Sequence, residues 1–168
     1  RSVSLQAGDE VLVTNHDYGA VHRIWEHTCR DAGAQLMSCN VSTPIQSVDD
    51  WCDAILAKVT PRTRLAVFSH VTSPTALVLP VAQLCEQLRQ RGIVTCIDGP
   101  HAIAMQPLDV QALDCDFYTA SCHKWLCGPF GSGFLYAHPR VQADVRPAVI
   151  SWGRPLTDAE YCWRDEFL

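Results

Sequence analysis

Short apolar runs alternate with segments of helical period along this chain, and that alternation constrains the fold more than any other feature of the sequence. It is the pattern of an α/β protein: a mostly parallel sheet with helices on both faces. Glu10 to Thr14 reads as the first strand. A helix from about Tyr18 to Ala32 follows, with Val21, Ile24, Trp25, Thr28, Cys29 and Ala32 on one face and Gly33 to stop it. Gln35 to Cys39 is the second strand. Ser47, paired with Asp50 in the manner of a capping box, opens a helix in which Val48, Trp51, Cys52, Ile55, Leu56 and Val59 recur at helical spacing. Leu65 to Ser69 is a continuous apolar strand. Pro80 opens a helix with Val81, Leu84, Cys85 and Leu88 inward, Gly92 ends it, and Ile93 to Ile97 is strand again. Phe117 to Ala120 and Gly133 to Tyr136 supply two more strands around a loop from Ser121 to Ser132.

The charge balance removes one class of partner. With 13 Lys+Arg against 18 Asp+Glu the net charge is −5, and the densest basic window, Arg89 to Arg91, closes a helix, where cations are expected in any case. Nucleic-acid binding, which needs a basic stripe, is not expected. No apolar run approaches the roughly 18 residues of a membrane span, and the polar Arg1-Ser2 start is unlike a signal peptide, so the expected compartment is the cytoplasm. Nine cysteines lie inside apolar runs such as Val94-Thr95-Cys96-Ile97, without a Cys-x-x-Cys pair. They read as reduced, buried thiols, with no metal site among them.

In open α/β sheets ligands collect beyond the carboxyl ends of the strands. Three polar clusters fall there: Ser69-His70-Val71-Thr72-Ser73-Pro74-Thr75, Asp98-Gly99-Pro100-His101 and Ser121-Cys122-His123-Lys124. A lysine and an aspartate on neighbouring strand ends can serve a carbonyl cofactor, the amine capturing the aldehyde while the carboxylate keeps a pyridine nitrogen protonated. Asp98 and Lys124 are the candidates. Taken singly, Asp98 also suits a turn before Gly99-Pro100, and Lys124 a solvated surface position. Serine and histidine at a loop start, such as Ser121 and His123, also commonly satisfy backbone amides. His70 reads equally as a buried, hydrogen-bonded strand-end histidine.

Asp-Gly-Pro-His at 98–101, Ser-Cys-His-Lys ending 26 residues after that aspartate, and Gly-Pro-x-Gly-x-Gly at 128–133 together resemble the class V aminotransferase family of fold-type I pyridoxal-phosphate enzymes. His70 to Leu77 and His-Lys-Trp-Leu at 123–126 are most similar to its isopenicillin N epimerase-like branch, and cysteine desulfurases share the frame. The resemblance implies pyridoxal 5'-phosphate as cofactor. It makes Lys124 the Schiff-base lysine and Asp98 the partner of the pyridine nitrogen, turns Ser121 and His123 toward the cofactor phosphate, and puts His101 where the family places a donor to the ring hydroxyl. Ser73, with Thr72 beside it, holds a position often occupied by Asn near that hydroxyl. The family lays an aromatic ring on the cofactor's exposed face, which selects Tyr18 here, with His16 as the alternative.

The resemblance further implies an enzyme acting at Cα of an amino acid or amino-acid-derived substrate, isopenicillin N epimerase-like, in a homodimeric parent protein. Cysteine desulfurase or C–S lyase chemistry is the alternative, and a non-catalytic remnant is the second. Residues 1–168 are expected to be a fragment of the cofactor-binding large domain, without the opening phosphate-cup segment and the C-terminal small domain. Such a fragment is expected to be inactive alone.

Overall fold

A computed structural model describes residues 2–147. The stretch 148–168, which the sequence reading places in the same domain, lies outside the described residues. Six strands form one sheet in the order β2-β1-β3-β4-β5-β6. They are β1 (Glu10–Thr14), β2 (Gln35–Cys39), β3 (Thr63–Ser69), β4 (Val94–Asp98), β5 (Phe117–Ser121) and β6 (Gly133–Ala137), with helices α1 (Gly19–Ala32), α2 (Val48–Leu56) and α3 (Val81–Arg89) between the first four. The first five strands pair in parallel, and β6 returns antiparallel to β5.

Strand order and crossover handedness together decide which face each helix covers. The chain moves from β1 outward to β2, then reverses past β1 to β3 and continues through β4 to β5. With right-handed crossovers, that reversal sends α1 to one face and α2 and α3 to the other. The two apolar clusters obey it. Val11, Val13, Leu65 and Val67 meet Cys29 of α1, with Val21 and Trp25 packed alongside. Leu12, Ala66, Phe68 and Ile97, the alternate residues of the same strands, meet Trp51 and Ile55 of α2 and Leu84, Cys85 and Leu88 of α3.

Local signals act as the sequence suggests. The Ser47 hydroxyl accepts the Asp50 amide at 3.0 Å, and Gly33 takes a left-handed conformation, φ 69°, at the end of α1. Several expectations need correction. Ile24 on α1 is 61% exposed and Val48 on α2 is 53% exposed, so neither lies on the inward face. Val59 falls beyond the end of α2. β4 is displaced by one residue, so Asp98 is its last residue rather than the one after it. The eight described cysteines are all free thiols, but Cys127 is exposed and Cys96 and Cys122 are only half-buried, against the expectation of burial; none of the helices in the described part is long and apolar enough to cross a membrane.

Buried charge inside the fold is paired. Glu10, fully buried at the start of β1, takes hydrogen bonds from Thr60 and from two nitrogens of Arg62. Burial pushes its carboxyl up, but those hydrogen bonds and the guanidinium outweigh it and hold the group below its ordinary value.

Candidate active site

The reversal of strand order lies between β1 and β3, the place at which open α/β sheets collect ligands beyond their carboxyl ends. Asp17, just after β1, bridges it. One carboxylate oxygen accepts the Thr14 amide at 2.6 Å and the Thr14 hydroxyl at 2.9 Å, and the other accepts the Ser69 amide at 2.7 Å. This bracket fixes the start of α1, where Tyr18 sits half exposed.

Asp98 ends β4 on the face that α1 covers, in register with Ser69 of β3 and Thr119 of β5. No hydrogen bond from the described residues reaches its carboxylate. Burial pushes that carboxyl up to about 6, the charge of Lys124 pulls it down, and the neighbouring Asp17 pushes it up again. The backbone beneath is tightly set. The Asp98 carbonyl accepts the His70 amide at 2.9 Å, and the Gly99 amide donates to Thr119 at 2.8 Å.

Gly99 has its own reason to be glycine. A methyl group there would overlap the hydroxyl and ring edge of Tyr118, which is fully buried below it. Tyr118 is itself pinned: Gln106 Nε2 donates to His70 Nε2 at 3.0 Å, leaving the His70 Nδ1–H to donate to the Tyr118 hydroxyl, also at 3.0 Å. Burial pushes the imidazole of His70 down and the phenol of Tyr118 up, so both are neutral in this network. Gly99→Ala is therefore expected to destabilise the fold by about 1–3 kcal/mol through overpacking. A urea unfolding midpoint equal to that of the parent would show that Tyr118 moves aside without cost.

Lys124 lies on the loop between β5 and β6. That loop is closed by the Cys122 amide donating to Ser132 at 2.9 Å and the Gly128 amide donating to Cys122 at 2.8 Å. Gly128, packed against Cys122 and Ser132, is part of this closure rather than a slack connection. Lys124 Nζ stands 3.0 Å from His101 Nε2 and 5.4 Å from the centroid of the Tyr18 ring. The indole N–H of Trp125 donates to His101 Nδ1 at 3.0 Å. Burial and the nearby Lys124 charge both push the His101 imidazole down, toward the neutral form.

Lys124, His101, Tyr18 and Asp98 thus come together at one strand edge. Ser121 and His123 line an adjoining open cleft of about 390 Å³ with Gly131, Ser132 and Phe134, and the His123 ring stacks on Phe130 at 5.3 Å. Thr72 is buried with its hydroxyl engaged inside its own turn, accepting the Leu77 amide at 2.8 Å and meeting the Thr75 hydroxyl at 2.8 Å. Ser73 is exposed beside it. His16 is buried and has both ring nitrogens occupied, Nε2 by the Val41 carbonyl at 2.9 Å and Nδ1 by the Thr75 hydroxyl at 3.1 Å. Tyr18 is the aromatic residue of that turn left open toward Lys124.

Two participants escape the sequence reading, Asp17 and Trp125. The reversal of strand order would have pointed to Asp17, since it sets the residue after β1 against the end of β3. A donor-only indole directly following the lysine is the signal for Trp125.

Fold and site together define an α/β protein that holds a lysine amine near a partly buried carboxylate at the carboxyl edge of its sheet. The family model for aminotransferase class-V matches residues 1–155, and the chain belongs to that family. It is similar to an isopenicillin N epimerase of Amycolatopsis lactamdurans, 41% identical over 150 residues that make up 89% of this chain and 38% of that protein. A probable cysteine desulfurase of Xylella fastidiosa strain 9a5c is 32% identical over 157 residues, 94% of this chain and 36% of that protein. Among solved structures, the cystine C–S lyase C-DES with its reaction product cysteine persulfide superposes with a TM-score of 0.83 at 26% identity, covering 90% of this chain and 42% of that one. A mutant of the same lyase with glycine covalently linked to its PLP cofactor gives 0.80 at 25% identity, covering 90% and 40%. The fold is that of fold-type I enzymes, and the chain spans less than half the length of these relatives.

Proposed function

We propose that this chain is the cofactor-holding part of a pyridoxal-phosphate enzyme that epimerises an amino acid or amino-acid-derived substrate at Cα. The cofactor is pyridoxal 5'-phosphate. One observation carries the reading: a lysine amine held between His101 Nε2 and the Tyr18 ring, beside a half-buried carboxylate that no described group hydrogen-bonds. A half-buried carboxylate that takes no hydrogen bond from the described residues is an open acceptor for a cationic donor. The donor set fits pyridoxal phosphate, whose ring N–H supplies such a donor and whose aldehyde suits a lysine.

When bound, the cofactor supplies an aldehyde carbon and an electron-withdrawing ring that makes the substrate's Cα–H acidic. Asp98 holds the proton on the ring nitrogen, which keeps the ring electron-withdrawing. Lys124 would hold the aldehyde through its amine, and its Nζ, once free, would take up the Cα proton of the substrate. His101 Nε2 lies within hydrogen-bond reach of that nitrogen and orients it. Tyr18 covers the exposed side and excludes water there, while Ser121 and His123 face the phosphate, with Ser73 and Thr72 near the ring hydroxyl. Inversion would then require a second proton donor, distinct from Lys124, to deliver a proton to the opposite face of Cα. The same reading places the whole protein in the cytoplasm as a homodimer.

Desulfurase or C–S lyase chemistry is the second reading, favoured by the likeness to C-DES and to the desulfurases. It shares every role above up to loss of the Cα proton and then expels sulfur from Cβ. The full-length protein, loaded with cofactor in deuterium oxide and given peptide and free amino-acid substrates, cysteine and cystine included, separates the two. Recovery of substrate deuterated and inverted at Cα, with sulfur retained, is the expected result. Sulfide or persulfide release without inverted substrate would overturn epimerisation in favour of the lyase reading, and the absence of both would favour a remnant.

A further inference from the structure

Inversion at Cα asks for two proton-transfer groups, one on each face, because a group that takes a proton from one side is not placed to deliver one to the other. Lys124 serves one face, and the second group must stand across from it. His101 lies 3.0 Å from the same nitrogen and therefore on the same side. His123 is turned into the adjoining cleft, stacked on Phe130. His16 has both ring nitrogens engaged, and the Thr72 hydroxyl is committed within its own turn. Asp98 is assigned to the ring nitrogen, and Asp17 beyond it is held by Thr14 and Ser69. Ser73 and Ser121 offer aliphatic hydroxyls, far weaker acids than a phenol.

Tyr18 meets the requirement. Lys124 Nζ stands over its ring, 5.4 Å from the centroid, and among the described residues no hydrogen bond engages its hydroxyl. A nitrogen over the face of a ring is farther from a hydroxyl at the rim than from the centroid, which leaves a gap of roughly two proton-transfer contacts of about 3 Å each, with one carbon between them. The two sides are held independently, Tyr18 at the start of α1 by the Asp17 bracket and Lys124 on its closed loop. We infer that Tyr18 is the second acid and base of the epimerisation: its phenol delivers a proton to the face of Cα opposite Lys124, and its phenolate removes that proton in the reverse direction. The inference rests on the epimerase reading. In one turnover the Cα–H bond toward Lys124 breaks and its proton goes to Nζ. The electron pair left behind forms the new Cα–H bond with the proton of the Tyr18 hydroxyl, whose O–H bond breaks. An ammonium then faces a phenolate, and the two charges attract. Tyr18 is half exposed, so once product leaves it regains a proton from water while Lys124 returns one.

The test uses the full-length, cofactor-loaded protein in deuterium oxide, with the separate L and D epimers of the peptides and free amino acids of the deuterium experiment, cysteine included. The parent is expected to exchange and interconvert both epimers. Tyr18→Phe keeps the ring and should slow interconversion about 10²-fold or more. The epimer whose Cα–H faces Lys124 should still take up deuterium with retained configuration, within a few-fold of the parental rate, and the other epimer should take up none. Inversion by Tyr18→Phe at the parental rate, or exchange and inversion lost in parallel, would overturn the inference and leave the epimerase reading standing. A parent that exchanges Cα without ever inverting it overturns that reading and the inference with it. The facing geometry is checked without cofactor or substrate: 3-fluorotyrosine at position 18 of the cofactor-free protein should change its ¹⁹F resonance in Lys124→Met, which removes the nitrogen over the ring. An unchanged resonance would overturn the inference as well.

Discussion

Lys124→Ala should abolish covalent capture of the cofactor and with it essentially all turnover. Loss of the proton transfer alone is worth roughly 10²- to 10⁴-fold, and the loss of aldehyde anchoring comes in addition. Residues 1–168 contain two lysines, Lys58 and Lys124, so the competing site within this stretch is known. Borohydride reduction of the cofactor-loaded full-length protein should fix the label on the peptide holding Lys124 and leave Lys58 clean. Lys58 is exposed just after α2, away from the carboxyl edge of the sheet, and serves as an internal control for non-specific reaction. Label on Lys58 with Lys124 bare would sink the assignment. The alanine variant should still bind some cofactor through the phosphate-facing groups and Asp98, without the covalent link.

Asp98→Asn should be nearly as damaging to turnover as Asp98→Ala, because the role asks for a negative charge rather than for bulk. The amide fills the same space but cannot keep a ring nitrogen protonated. Its effect on stability should have the opposite sign. The Asp98 carboxyl is raised from its ordinary 3.8 to about 6, chiefly by burial, against the opposing pull of Lys124 and with a further push from Asp17. Between those values the folded protein retains a proton that the unfolded chain has released, so stability falls as pH rises from about 4 to about 6. Above that window the deficit levels off at on the order of 3 kcal/mol. Asp98→Asn removes the buried charge. The cofactor-free variant should therefore melt a few degrees higher than the parent at pH 7.5, with the difference vanishing below pH 4. A variant that melts lower at pH 7.5 would mean that the carboxylate is held by stabilising contacts and is not waiting for a partner.

These opposed signs illustrate how far the sequence could be read. The order of strands and helices was legible because each carries its own period and its own stop, and β1, β2 and the caps of α1 and α2 stand where the residues place them. The faces were legible less well. Ile24 and Val48 belong to regular apolar stripes, yet each stripe is wider than the strip of sheet its helix touches, so its flank stays outside. The chemical pair Asp98 and Lys124 is readable because strand ends collect ligands, and the structure brings Lys124 beside His101 and Tyr18. Asp17 was hidden for a topological reason. Its partner, the Ser69 amide, is 52 residues away and becomes a neighbour only once β3 is known to lie against β1. Trp125 was hidden for a chemical one, since a tryptophan next to a lysine reads as packing until the direction of its N–H is seen.

The loop that carries Lys124 closes on itself, with the Cys122 amide on Ser132 and the Gly128 amide on Cys122, between two antiparallel neighbours. Its ends are ten residues apart in sequence, so bringing them together costs little chain entropy. Asp98 is placed differently: its strand pairs with Ser69 on one side and Thr119 on the other, partners 29 and 21 residues away. Contacts of short range form early and survive local damage, whereas contacts of longer range depend on the whole sheet. Lys124 therefore rides on a hairpin loop closed by its own backbone, while the position of Asp98 is hostage to the integrity of the sheet. A destabilised form of this protein is expected to fail asymmetrically, keeping the Lys124 loop after Asp98 has lost its place.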